Sequence, residues 1–382
     1  MAGYFSLLLL FFLLLSVNFY FGFREWRRPR DADPLPVDVE YIRAENYFGV
    51  SFRAKMKEWL QTARPIPHPD TRAGESPVRA ILEKPNGERI LLLSGGRFGG
   101  REERDELVYS DGDLYLSDRA IFRREIYCLG NLQTGGHAQL QAVAADGEIL
   151  LGAANEVARW VDAQKKILLS RGTVVHSRVC SAEAIELEPE VSAQLLYAPV
   201  VFTTGYRPMP DSAHDGEQEK GLLAVQAPPA TSEKVPAYLD PARCSRLGAN
   251  TWLVRGDLEL PAGSRVESSL VVKGYLRTGP GCRFTEPVKA ARVKLGPRNR
   301  VRRSMASGGG LEIGESSFVG EILSADANIL LCAGVRVGAS SALAVLTSPP
   351  ALTTASAGGE VRMERNVAVC GKVVAGRTVI AV

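Results

Sequence analysis

The feature that most limits how this chain can fold is a repeat, too long for one helical turn or one strand, that starts at Leu114 and runs almost to the end. One unit is clearest at Gly256 to Lys273, GDLELPAGSRVESSLVVK, with apolar residues at Leu258, Leu260, Val266, Leu270 and Val272. The first column reads Leu114, Leu132, Ile149, Ile167 and Ile185, resumes at Leu258, Leu276, Val293, Leu311 and Ile329, and returns at Val361. Steps are 18, 17, 18 and 18 residues in both runs. The third column (Phe122, Leu140, Val157, Val175, Ala193, then Val266, Phe284, Val301, Val319, Val337 and Val369) is apolar throughout. Thr134 and Thr278 are the only polar members of the second. The fifth stays mostly small (Ala163, Ser181, Ala290, Ser307, Ala325, Ala375), as a tight corner requires.

An apolar–x–apolar pair has the period of a strand, so both apolar side chains face inward and the residue between them faces water. Pro261-Ala262-Gly263 and Pro280-Gly281 supply corners. Coils stacked about 4.8 Å apart pair each strand with its neighbours above and below. A single coil cannot bury its own inner face, so the stack carries the stability. The expectation is an all-β solenoid of 17–18 residues per coil, in two blocks at 111–202 and 251–382. Residues 203–250 are rich in Pro, Ala, Asp and Glu and read as a flexible excursion from one corner; Ala339 to Glu360 reads as a shorter one.

The residues before the repeat set the compartment. Tyr4 to Phe23 is 20 residues without a charge, and as a helix it would rise about 30 Å, a hydrocarbon thickness. It lacks the basic n-region and small-residue cleavage site of a secretion signal, so 1–23 is expected to be a retained transmembrane helix. Arg24, Arg27, Arg28 and Arg30 follow it and place the remainder in the cytoplasm. Six scattered cysteines with no C-x-x-C pair fit reduced thiols in small-residue slots.

Residues 24–110 divide further. Phe48, Phe52, Met56 and Trp59/Leu60 mark one face of a helix that Asn46 caps and Pro65 ends. This amphipathic helix is expected to cap the open solenoid end rather than lie on anionic lipid. Val78 to Leu93 reads as a hairpin turning at Pro85-Asn86-Gly87, and SGGRFGG (94–100) as a flexible connector, since no Gly-Lys-Ser/Thr follows it.

At GDLELPAGSRVESSLVVKGYLRTGPGC, and again at LEIGESSFVGEILSADANILLCAGVRVG, the residues resemble the bactofilin, or polymer-forming cytoskeletal, family. The resemblance covers about Gly256 to Val382 well, Asp111 to Val201 more loosely, and nothing before about residue 110. It implies a right-handed β-helix that polymerises end to end without nucleotide or other cofactor, close to a bacterial inner membrane. A typical member has one uninterrupted block and short tails, whereas this chain has two blocks, long excursions and the apolar N-terminal run.

The function classes narrow accordingly. A net charge of +3 argues against a dedicated nucleic-acid binder. Hexapeptide-repeat acyltransferases are also β-solenoids, but their repeats advance in sixes and use a histidine base. Here the spacing within a coil is uneven, and His68, His137, His176 and His214 have no carboxylate orienter in sequence. Carbohydrate-active β-helices need carboxylates clustered on an outer face, and the acids here are spread out. The reading is a non-enzymatic scaffold, with neither metal nor cofactor, that associates with copies of itself; the alternatives are a non-polymerising membrane-tethered adaptor binding partners through its excursions and, ranked below it, a hexapeptide-type acyltransferase. The final repeat keeps the inward pattern up to Val382 with no cap after it, so Val373, Val379 and Ile380 are the expected assembly residues. The run KAARVKLGPRNRVRR (Lys289 to Arg303) carries seven basic residues and no acid, a candidate contact for anionic lipid or a solvated outer face.

Overall fold

The computed structural model describes residues 45–66, 78–98, 103–206, 235–338 and 354–382. The expected transmembrane segment, its arginines, His68 and His214 lie outside the described residues. Among the described residues, no helix is long and apolar enough to cross a membrane. The chain divides after Tyr47, and the fold below is that of the unit Phe48–Val382.

That unit is a β-solenoid of about 14 turns. Each coil contributes three short strands, one to each of three faces that we term A, B and C in chain order. Successive coils pair in parallel and in register: Leu114 opposes Leu132 and Leu132 opposes Ile149 on face B, and Arg283 opposes Arg300 on face C. The inward columns are those expected from the repeat, with Leu258, Leu276, Val293, Leu311 and Ile329 all buried. So is the small-residue column on face A, Cys128, Ala145, Ala163, Ser181 and Ala198 in the first block. Side chains there meet at a corner, and a larger residue would overfill it.

The two polar exceptions in the second column are satisfied in the same way. Asn155 and Asn299 are buried at the corner after face B. Each uses its amide NH2 to donate to the threonine hydroxyl, Thr134 and Thr278 respectively. Each uses its side-chain oxygen to accept a backbone N–H, from Ala138 and from Cys282. A buried hydroxyl costs stability only when unpaired, so the column tolerates both. The same corner turns through a left-handed residue in coil after coil: Arg119, His137, Ala154, Gly172 and Glu190, then Gly263, Gly281, Arg298, Ser316 and Gly334. At Gly296 and Gly314 a Cβ would stand 2.7 Å and 2.5 Å from the backbone of the coil below, so only glycine lets the coils close to strand spacing there.

The first block begins earlier than expected. Arg89–Leu93 is the second arm of the hairpin, pairing antiparallel with Val78–Glu83, and it is also the first rung of face A, pairing in parallel with Leu107–Ser110. Gly96–Phe98, inside the stretch expected to be a flexible connector, is a rung of face B opposite Leu114–Leu116. Residues 235–250 are likewise no free excursion. Leu239 is buried in the core, and Cys244–Gly248 pairs antiparallel with Thr251–Val254 to roof face A at the outer end of the second block. Residues 207–234 of the expected excursion lie outside the described residues, as do 339–353 of the shorter one. After the latter, Thr354–Ala357 restores the rung between Leu323–Ala325 and the last strand.

The helix α1 (Tyr47–Thr62) forms where the apolar spacing places it, but it is not an end cap. It lies along the side of the first block on face A, where Phe52 and Met56 pack with Ile90, Leu107, Tyr127, Ala144 and Trp160. A 16-residue helix rises about 24 Å, the height of five rungs. Its start meets Arg178, whose guanidinium sits 4.6 Å from the Phe48 ring, and its end meets the hairpin, with Lys84 3.6 Å from the Trp59 ring. Face A is buried on both sides here, with Ile126–Cys128, Val143–Ala145 and Trp160–Ala163 buried at every position and Asp162 the one charged residue among them. An outer apolar surface of that kind needs a cover, and the helix supplies it.

Candidate assembly interface

The last strand of the first block, Ser192–Thr203, and the last strand of the chain, Ala368–Ala381, pair antiparallel with each other. The two blocks therefore meet tail to tail within one chain. Leu196 opposes Val373, Ala193 opposes Val379, Ser192 opposes Ile380, and Val201 opposes Val369. Val373 and Val379 are buried, and the ring of inward side chains continues across the contact without a break. This corrects the expectation of an open C-terminal coil: the edge carrying Val373, Val379 and Ile380 is occupied, because the first block presents the same three-faced rung and the same unpaired strand groups. Side chains close the seam as well. The Thr203 hydroxyl donates to the Glu364 carbonyl and accepts from the Val367 N–H at 2.9 Å, and Glu190 N–H donates to the Ala381 carbonyl at 2.8 Å.

A second built contact fastens α1. Arg53 donates through Nε to Asp146 at 2.9 Å, pairs through Nη1 with Asp162, and donates through Nη2 to the Ala145 carbonyl at 2.7 Å. Tyr127 donates to the other Asp146 oxygen at 2.8 Å. Asp162 is buried, and burial pushes its carboxyl above the usual range while Arg53 draws it back. Gly49 belongs to this clasp, since a Cβ there would stand 2.1 Å from the Asp162 carboxyl carbon. Gly49 thus brings the helix backbone down to the carboxylate, and Arg53, one turn on, holds it.

Neither feature resembles a reaction centre. His137 occupies the left-handed corner position that other residues fill in neighbouring coils. His176 does find a carboxylate that its sequence neighbours do not show: Nε2 lies 2.8 Å from Glu156, one coil back. Both groups are about half exposed, beside a shallow groove lined by Phe122, Gln139, Leu140 and Ala158. Burial pushes the Cys128 and Cys332 thiols up to about 11, which makes them poor nucleophiles near neutral pH. Among the described residues all six cysteines are free thiols and no cluster of His, Cys, Asp and Glu could hold a metal ion. No family model matches this sequence. Nor does any curated protein or solved structure. The candidate site therefore stands on its geometry, and the geometry is that of a joint between solenoid ends.

The basic run disperses when folded. Lys294 faces outward on face B and pairs with Glu312 at 2.8 Å, and Arg303 at a corner reaches Glu286 at 3.8 Å. Arg300 stands on face C, between Arg283 and Phe318.

Proposed function

We propose that this chain is a membrane-tethered structural scaffold of the bactofilin-like, polymer-forming kind, with right-handed coils and no catalytic role. Its protomer is two solenoid blocks closed tail to tail, and its chain-to-chain contacts are made by the two outer ends. The observation that supports this is the strand pair Ser192–Thr203 with Ala368–Ala381. Solenoid ends of this sequence associate edge to edge through backbone hydrogen bonds and continuous apolar columns, the kind of contact a polymer repeats. With that edge filled, the outer ends remain. Each is roofed over face A, by Val78–Glu83 at one end and Cys244–Gly248 at the other. The outermost strands of faces B and C, Gly96–Phe98 and Glu103–Arg104 at one end, Leu258–Leu260 and Arg265–Val266 at the other, have a strand neighbour on one side only among the described residues. Open strand edges of this kind template further pairing. Since the blocks run in opposite senses, joining like ends of successive chains gives a filament without polarity. The uncharged run Tyr4 to Phe23 would hold such a filament on the cytoplasmic side of a bacterial inner membrane.

Leu247 offers the handle for a test. It lies on the roof strand at the outer end of the second block and is 59% exposed, an apolar side chain with no fold to support. Leu247→Lys is expected to leave the unfolding transition within about 0.5 kcal/mol of wild type and to shorten or abolish the filaments seen by negative-stain electron microscopy. A wild-type chain that stays monomeric at high concentration would remove the scaffold reading and leave the non-polymerising adaptor.

A further inference from the structure

The outward column on face C of the second block reads Arg265, Arg283, Arg300, Phe318 and Arg336, one residue per coil in parallel register. Neighbours in it are about 4.8 Å apart along the stack. Like charges on adjacent rungs repel and cost stability, so a fold left to itself alternates them. On the neighbouring face B, where Arg277 and Lys294 also stand on adjacent rungs, each has an acid on its other side: Arg277 sits 3.6 Å from Glu259, and Lys294 sits 2.8 Å from Glu312. Arg265, Arg283 and Arg300 are exposed, and among the described residues none has an acidic partner. The acids at the next corner are Glu267 and Glu286, and Arg303 reaches the second of these. In the first block the equivalent column is Glu103, Ile121, Gln139, Glu156 and Val174, so the solenoid itself does not require arginine there.

We infer that this ladder is a docking face for the anionic headgroups of a lipid bilayer. Three guanidinium groups standing in one straight line on a flat face match a flat array of phosphates, and each can hold a phosphate oxygen pair bidentately. Phe318 continues the line as a half-exposed ring, suited to the boundary between headgroups and acyl chains. A single-sign face also turns the rod, so that face C of the second block looks toward the bilayer. The inference rests on the tethered reading only for bringing the chain to a membrane, and the lipid comparison below separates the two.

The test is arginine-selective labelling with phenylglyoxal, read residue by residue by mass spectrometry, on the full chain mixed with vesicles. Vesicles of phosphatidylcholine alone are compared with vesicles containing phosphatidylglycerol. Labelling of Arg265, Arg283 and Arg300 is expected to slow about fivefold on the anionic vesicles and to recover at high salt, with Arg277 on face B unchanged. R283E/R300E should abolish the protection of Arg265. A chain that associates with neutral vesicles but shows no extra protection on anionic ones overturns the inference and leaves the tether standing. Equal protection by free inorganic phosphate at matched concentration would also overturn it, by reducing the ladder to a general anion site. The sequence between Tyr206 and Val235 carries Asp211, Asp215, Glu217 and Glu219. Protection that is present without vesicles, and vanishes when 207–234 is deleted, would assign the ladder to that acidic stretch instead.

Discussion

Val301→Asp should cost at least about 4 kcal/mol of unfolding free energy, while Arg300→Asp, one residue earlier, should change it by less than about 0.5 kcal/mol. Val301 is fully buried in the third column, stacked between Phe284 and Val319. An aspartate there would face apolar neighbours above and below, with no donor in reach. The column continues through the stack, so the coil cannot turn the side chain out without losing its register. Arg300 points the opposite way on the same strand and has no ion pair to lose. Reversing its charge beside Arg283 relieves a repulsion, so any change should favour the folded chain. Denaturant unfolding of the two variants under identical conditions measures the contrast. Similar losses for both would place the inward and outward faces of the strand in the wrong register.

The clasp on α1 gives the second large effect. Arg53→Met leaves the buried Asp162 carboxylate without its guanidinium, a loss of about 3–5 kcal/mol, more than a 16-residue helix on the side of a solenoid can absorb. The helix should detach while the coils persist, exposing Tyr127 and Trp160. Asp162→Asn should be the milder change, because Arg53 keeps Asp146 and the Ala145 carbonyl. The pH dependence has a definite sign. Burial raises the Asp162 carboxyl in the folded chain, so the folded form takes up the proton more readily than the unfolded form. The penalty for the unpaired charge is therefore present above that raised value and fades as the pH falls through it toward about 3.9. Hydrogen exchange along residues 47–62 at neutral and acidic pH reports both points. A helix that stays equally protected in Arg53→Met would show that its apolar face alone holds it.

Much of this fold is legible in the sequence because a solenoid repeats one physical requirement in every coil. The inward columns, the small corner column and the Pro-Gly corners all follow from period alone. The first coil escapes notice because Gly96 takes the place of the aliphatic residue that opens the other coils. The lateral seat of α1 does leave a signal, in IYC, AVAA and WVDA, where the outward slots hold Tyr127, Ala142, Ala144 and Trp160 rather than the polar residues that alternation demands, Asp162 alone excepted. Read as two-faced burial, those three runs point to a covering element on face A. The joint between the blocks leaves no such trace. Leu196 and Val373 carry the same inward pattern as every other coil, and nothing in a period tells a free edge from one closed by a distant strand of the same chain. His176 and Glu156 meet for a similar reason: they are 20 residues apart in sequence but one coil apart in space.

Closure of the C-terminal edge within each chain is what moves assembly to the outer ends. Tyr197 and Lys372 lie directly opposite each other across that joint. Opposed residues of an antiparallel pair have Cα atoms about 4.5–5.5 Å apart, within disulfide reach. The double variant Tyr197→Cys with Lys372→Cys, oxidised and compared with each single variant, should form its new disulfide at the mass of one chain, with the linked peptides containing residues 197 and 372. A disulfide found only at the mass of two chains, or none under conditions that leave the coils folded, would contradict the account and return the C-terminal coil to the role of an open end.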